Sequence, residues 1–162
     1  MPIHNFFARD PKGEVSPEVF ARLGAFLQVE IHVPPAIGKV LSDDNRPIPP
    51  PVTGVAIVDT GATMTCVQES ILRDQLQLQP IRTVKSGTAS GQVTQNVYPA
   101  RIVAANQGIT MDLNAVAGVD LTGQTVATLP EPQTVIGLLG RNFLRYCVFI
   151  WNGPGGYWTI TL

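Results

Sequence analysis

The feature that most constrains this chain is an uninterrupted apolar run at residues 55–58, Val-Ala-Ile-Val, followed at once by the turn Asp59-Thr60-Gly61. Because no polar residues alternate with the apolar ones, the run is typical of a strand that is covered on both faces. The run therefore predicts the interior of a folded domain. It also places a carboxylate, that of Asp59, at the end of a buried strand.

Strand patterns dominate the rest of the chain. Residues 26–33 alternate apolar and polar side chains, which is typical of a half-buried strand, and residues 111–119 repeat that pattern. The sequence predicts further strands at 63–67 and 135–140, a hairpin within 81–105, and a hairpin of 147–151 with 157–162 around a glycine-rich turn. The domain is therefore predicted to be mainly β.

Few helices are expected. Ser16 followed by Pro17 predicts a helix start, with Gly24 as the stop, and residues 69–76 are predicted to form a short amphipathic helix. A helical turn begins at Arg141. The proline-rich segment 34–51 predicts a loop, with a short edge strand at 40–41 as an option, and 120–134 predicts another loop. Residues 1–15 predict an irregular surface arm, so the chain divides into an N-terminal extension with a short helix, 1–27, and one domain, 28–162.

Length and charge exclude several classes of function. A chain of 162 residues fits one domain with an ordinary core. The formal net charge is −1 and the basic residues are scattered, so no nucleic-acid partner is expected. The long apolar segment 135–151 is interrupted by Arg141, Asn142 and Arg145, so no membrane span is expected either. No signal-peptide pattern opens the chain, and a cytoplasmic location is the expectation.

The two cysteines and two histidines lack the spacing of a metal site. Cys66 and Cys147 are far apart in apolar settings and are predicted to be buried free thiols, with a disulfide as the alternative. His4 and His32 are also far apart. No metal or cofactor is expected.

Three motifs, in this order, resemble the retropepsin-like aspartic proteases over roughly residues 28–162. This family comprises the single-domain homodimeric enzymes that include retroviral proteases. The resemblance implies a closed β-barrel-like acid-protease domain with one or two short helices. The motifs are Val58-Asp59-Thr60-Gly61-Ala62, a glycine-containing hairpin further along, and Leu138-Leu139-Gly140-Arg141-Asn142-Phe143-Leu144.

The resemblance also implies a role for each site residue. Asp59 is the catalytic carboxylate, and Thr60 and Gly61 support its loop, Thr60 by a hydrogen bond across the dimer axis and Gly61 by an amide aimed at the carboxylate. The residues expected to bind substrate are Ala62, Thr63 and Leu138, together with Ser90, Gly91 and Gln92. The last three are predicted to form the tip of the flap, the hairpin that closes over the substrate. Ser86-Gly87 is the alternative tip.

The chemistry of this family needs two carboxylates that share one proton, but Asp-Thr-Gly occurs once here. The leading hypothesis is therefore an aspartic endopeptidase in which two Asp59 residues of a homodimer activate water and cleave an extended peptide or protein substrate. One alternative is a non-catalytic dimeric peptide-binding or scaffold module. A second is a monomer that supplies half a site to a different chain, and the plainest is an ordinary turn with a solvated Asp59.

One position departs from the retroviral pattern. Retroviral enzymes carry an acidic residue directly after Asp-Thr-Gly-Ala, where it pairs with the arginine that follows the later glycine. Here that position is Thr63. Arg141 is therefore predicted to use another partner or backbone carbonyls, and the retroviral dimer interface is not carried over.

Overall fold

A computed structural model of the chain describes residues 3–88, 91–127 and 131–162. Its helices are α1 (Pro17–Leu23), α2 (Pro35–Asp43) and α3 (Arg141–Leu144), with a π-helical turn at Ile71–Gln75 and a 3-10 turn at Ala105–Gln107. Its strands are β1 (His4–Phe7), β2 (Phe26–His32), β3 (Val52–Val58), β4 (Cys66–Gln68), β5 (Arg82–Thr88), β6 (Gly91–Ala104), β7 (Ile109–Val119), β8 (Thr125–Val126), β9 (Gln133–Leu139), β10 (Val148–Asn152) and β11 (Tyr157–Thr161).

Six strands close into a barrel. They follow the order β2-β3-β9-β4-β7-β6, and β6 pairs back with β2 through Ile102 and Ile31. Leu27, Val29 and Ile31 alternate along β2 and point into the core. The predicted mainly β, closed-barrel fold class is confirmed, as are both predicted hairpins and the helical turn at Arg141.

The apolar run before Asp59 is covered on both faces, as predicted. Ala56 packs into the main core, whereas Val55, which points the other way, packs with Val126 and Val135. Val126 belongs to β8, which pairs with β9 inside a segment predicted as loop. The prediction of a continuous loop at 120–134 is therefore wrong at β8, because cover for Val55 comes from a strand too short to show a periodic pattern.

The prediction of an irregular arm over residues 1–15 is wrong at β1. This strand pairs antiparallel with β11, and β11 pairs with β10, so that the three form a second sheet. The Phe6 and Trp158 rings lie opposite each other in the register and stack, with ring centroids 3.9 Å apart. Four residues carry too little periodicity to show a strand, and the pairing partner lies at the other end of the chain. The division of the chain at residue 28 stays a prediction.

Helix α1 forms as predicted. The Ser16 hydroxyl caps it by accepting a hydrogen bond from the Val19 N–H (3.2 Å), and Pro17 occupies the first helical position. Phe20 is buried on its inner face. Gly24, with a φ of +71°, ends the helix by donating its N–H to the Phe20 carbonyl.

The loop prediction for 34–51 is wrong for its first half, where α2 forms, and no strand forms at 40–41. Pro35 stands in the first turn, whose N–H groups lack helical partners in any helix, so proline costs no hydrogen bond there. Ile37 and Leu41, one helical turn apart, pack on the core. Within the described ranges, no helix is both long enough and apolar enough to cross a membrane.

Candidate active site

Asp59 directly follows Val58, the last residue of β3. β3 runs parallel to β9, with Val58 opposite Leu139, and the Asp59 N–H donates to the Leu139 carbonyl at 3.0 Å. Asp59 is half-buried. Two interior strands therefore fix where the loop that carries Asp59 begins.

The Asp59 carboxylate is oriented by backbone amides. Its Oδ1 accepts hydrogen bonds from the N–H groups of Gly61 (2.9 Å) and Ala62 (3.1 Å). A Cβ at Gly61 would lie 3.2 Å from Oδ1, which is closer than ordinary contact, so glycine suits this position. The other oxygen, Oδ2, accepts no hydrogen bond from the described residues, so the carboxylate is held at one oxygen and available at the other.

Asn142 ties the far end of this loop to the barrel. Its Oδ1 accepts from the N–H (2.7 Å) and the hydroxyl (2.8 Å) of the buried Thr65, and its Nδ2 donates to the Ala115 carbonyl (2.8 Å). The Thr65 hydroxyl in turn accepts from the Gly140 N–H (3.1 Å). Thr65 was not among the predicted site residues. The sequence feature that could have indicated Thr65 is the Gly-Arg-Asn motif, because its asparagine needs a hydrogen-bond partner on the loop.

Replacing Asn142 with Ala is expected to lower the free energy of unfolding by about 2 kcal/mol, because the buried Thr65 and the half-buried Ala115 carbonyl lose their partners. Urea unfolding followed by circular dichroism measures the change. The matched control is Asn114→Ala on β7, since Asn114 is exposed and its side chain hydrogen-bonds to none of the described residues. A loss at Asn142 no larger than that at Asn114 would show that the loop does not depend on this contact.

Arg141 donates hydrogen bonds to backbone carbonyls and to a hydroxyl. This agrees with the prediction made from Thr63, which stands where the retroviral pattern has an acidic residue. Its Nη1 donates to the carbonyls of Thr60 (3.2 Å) and Gly61 (3.0 Å), and its Nη2 donates to the Thr63 hydroxyl (2.8 Å). Its backbone N–H donates to the Ala62 carbonyl at 2.9 Å. Arg141 therefore holds the whole Asp59 loop without the carboxylate partner of the retroviral pattern.

The Asp59 loop opens into a cleft of about 1100 Å³ between the barrel and the β5–β6 hairpin. Five predicted site residues line it together: Asp59, Gly61, Ala62, Thr63 and Leu138. Lining residues that were not predicted to belong to the site are Met64, Cys66, Glu69, Val84, Lys85, Val93, Thr94, Gln95, Ala117, Gly118, Val119, Asp120 and Leu121. The hairpin residues among them line the cleft only because the hairpin folds over the barrel. No local sequence pattern encodes that packing.

Thr60, Gly91 and Gln92, which were also predicted to belong to the site, are not among the lining residues. Thr60 is exposed beside the cleft. Gly91 and Gln92 begin β6, opposite Thr88 and Gly87, while Ser90 lies outside the described residues. Ser86 and Gly87, the competing flap tip, line the cleft but are paired within the hairpin and do not form its turn. The flap role of Ser90, Gly91 and Gln92 stays a prediction.

Both cysteines are free thiols, as predicted, but they are half-buried rather than buried. Burial raises the pKa of the Cys66 thiol, and the nearby Asp59 carboxylate raises it further. Burial also raises the pKa of Cys147, to about 11. At neutral pH the Cys66 side chain therefore presents an uncharged thiol to the cleft beside Asp59.

Comparison with known proteins identifies the family. A family model described as aspartyl protease matches residues 51–143, which is more than half of the chain and includes Asp59, the hairpin and Asn142. This chain belongs to the aspartyl protease family. The resemblance drawn from the three sequence motifs is thereby confirmed at the level of the family.

Two solved protease structures are similar to this member of the family. The simian foamy virus (mac) protease is 22% identical, with a TM-score of 0.44, and the match covers 75% of this chain and 93% of that chain. A retropepsin-like aspartic protease from Rickettsia conorii is 14% identical, with a TM-score of 0.48, over 98% of this chain and 91% of that chain.

Proposed function

We propose that this aspartyl protease family member is an endopeptidase that works as a homodimer, with Asp59 of each copy forming the catalytic pair. The observation that carries the proposal is the Asp59 carboxylate at the cleft, held at Oδ1 by two amides and available at Oδ2. Among the described residues, no other carboxylate in the same chain hydrogen-bonds to Asp59. The second member of the pair is therefore assigned to a second copy.

Two such carboxylates about 3 Å apart cannot both ionise, so the pair holds a single proton. The charged member takes a proton from a water molecule as that water attacks the scissile carbonyl carbon, and the protonated member donates to the carbonyl oxygen. No covalent acyl-enzyme forms. Because Arg141 and Asn142 fix both ends of the Asp59 loop, each carboxylate is oriented before substrate binds.

The cleft supports an extended peptide as the substrate. Its roof is the β5–β6 hairpin, where Val84 and Val93 supply apolar contact, and its floor carries Ala62 and Leu138. A peptide strand held between a hairpin and a sheet binds through backbone hydrogen bonds, with side chains entering pockets on alternate sides. Closure of the hairpin over the peptide would exclude water from the reacting bond.

Mixing the wild-type chain with an equal amount of Asp59→Asn chain tests the two-chain site. After subunit exchange, half of the wild-type chains are paired with a variant, so activity per wild-type chain is expected to fall to about half. Cleavage of a fluorogenic peptide measures it, and native mass spectrometry of size-tagged chains verifies the exchange.

The control mixture uses Asp43→Asn, which removes an exposed carboxylate that pairs with Lys39 on α2, outside the cleft lining. Activity per chain is expected to stay constant in that mixture. Full activity of wild-type chains in exchanged heterodimers with Asp59→Asn would instead show that one chain carries a complete site.

A further inference from the structure

A second carboxylate, that of Glu69, faces the same cleft and is held in place by neutral donors. Glu69 follows β4 directly and lines the cleft. Its Oε1 accepts hydrogen bonds from the Tyr98 hydroxyl (2.9 Å) and the Asn96 Nδ2 (2.7 Å), both on β6. Tyr98 is fully buried, so its donor is fixed by the core.

The backbone of β7 also confines the Glu69 side chain. A Cβ at Gly118 would lie 3.0 Å from the Cγ of Glu69 and 3.0 Å from the Cε2 of Tyr98, so both side chains pack directly against this glycine. Fixing the stem and one oxygen removes rotamer freedom before any ligand arrives, and such preorganisation lowers the entropic cost of binding.

Glu69 forms no salt bridge within the described part of the chain. The guanidinium of Arg73, close in sequence, is engaged by Asp74 through two hydrogen bonds of 2.7 and 3.0 Å. Of the charged residues in the described lining of the cleft, Asp59, Glu69 and Asp120 are acidic and Lys85, on the hairpin, is basic. The cleft therefore carries an excess of negative charge. Its Glu69 carboxylate is rigidly presented, and among the described residues no cation lies within salt-bridge distance of it; the Arg73 guanidinium, hydrogen-bonded to Asp74, interacts with it only through space.

We propose that Glu69 is a specificity-determining residue that accepts a basic side chain, lysine or arginine, of the substrate peptide. This inference rests on the proposed function, since it assigns a substrate class to the same cleft. A charge-assisted hydrogen bond in a partly desolvated cleft is stronger than a neutral one. A site built around such a bond also disfavours an analogue that lacks the charge, because the carboxylate then loses water without gaining a partner.

Paired peptides test the assignment. Lysine is placed in turn at each position around the cleaved bond of a fluorogenic peptide, and each lysine peptide is compared with its norleucine counterpart, which has similar length and no charge. At one position the kcat/KM for lysine is expected to exceed that for norleucine about tenfold. In Glu69→Gln, whose amide oxygen can still accept from Tyr98, this ratio is expected to fall to near one.

Two further variants separate specific contact from general charge. Asp120→Asn removes the same charge from an exposed position of the same cleft and is expected to keep the lysine preference to within about twofold, because water screens exposed charges. Tyr98→Phe removes one donor to Glu69, keeps the ring, and is expected to reduce the preference by about threefold. An equal loss in Glu69→Gln and Asp120→Asn, or an unchanged preference in Glu69→Gln, overturns the assignment. If Glu69→Gln does not fold, an unchanged preference in Tyr98→Phe overturns it as well.

Binding distinguishes failure of this inference from failure of the proposed catalysis. The lysine and norleucine peptides are labelled and titrated by fluorescence anisotropy against the Asp59→Asn protein, with and without Glu69→Gln. If binding shows a lysine preference that depends on Glu69 but the wild type cleaves nothing, the specificity is supported and the proposed protease function is rejected. If the wild type cleaves peptides without any lysine preference, the protease function is supported and the specificity is rejected. If no peptide binds, both proposals are rejected.

Discussion

Asp59→Asn is expected to lower the rate of peptide cleavage by roughly a thousandfold or more, since an amide can neither share the proton of the pair nor take one from water. The fold is expected to survive, because the Asn side-chain oxygen can still accept from the N–H groups of Gly61 and Ala62. Incubating a mixed peptide library with the purified protein at acidic and neutral pH, followed by mass spectrometry, measures the loss. Circular dichroism verifies that the variant is folded.

The matched control is Asp43→Asn, which makes the same chemical change at an exposed ion pair on α2, outside the cleft lining. It is expected to cleave at the wild-type rate. Cleavage by Asp59→Asn within tenfold of the wild type would be incompatible with the proposed mechanism. A wild-type protein that binds peptides but cleaves none at any pH would instead support a non-catalytic peptide-binding module.

Gly140→Ala is expected to lower the free energy of unfolding by about 3 kcal/mol, which lies at the upper end for overpacking a rigid site. A Cβ at Gly140 would lie 2.5 Å from the carbonyl carbon of Met64, 2.6 Å from its oxygen and 2.8 Å from the Thr65 nitrogen. All three are backbone atoms, so the clash is relieved only if the Asp59 loop moves away from α3. The Gly140 φ of −83° suits any residue, so the loss is steric.

Gly87→Ala on β5 is the matched control, since a Cβ there meets no atom within 4 Å. Its stability is expected to stay the same or rise by up to about 1 kcal/mol, because alanine restricts the unfolded chain. Urea unfolding of both variants measures the difference. Similar stabilities for Gly140→Ala and Gly87→Ala would mean that the loop accommodates the methyl group, and the close approach would then not explain the glycine.

Local patterns were most informative where one short segment carries the whole signal. Residues 55–58 predict a strand covered on both faces, and Ser16, Pro17 and Gly24 predict the bounds of α1, because apolar runs, caps and fixed φ angles act over a few residues. Local patterns did not predict α2 or β1. In α2, the proline that argues against a helix lies in the first turn, where a helix tolerates it. β1 forms because it pairs with a strand at the other end of the chain.

The sequence by itself determined that Asp59 ends a buried strand and that a Gly-Arg-Asn motif follows a second apolar strand, since both are properties of contiguous residues. Only the tertiary structure decided what these residues touch. The Arg141 contacts with Thr60 and Gly61 join residues 81 and 80 positions apart, and the Asn142 contact with Thr65 spans 77. Glu69 meets Tyr98 across 29 positions. Such contacts depend on which strands pair and in which register, and that is fixed by burial of the whole barrel core rather than by any one segment.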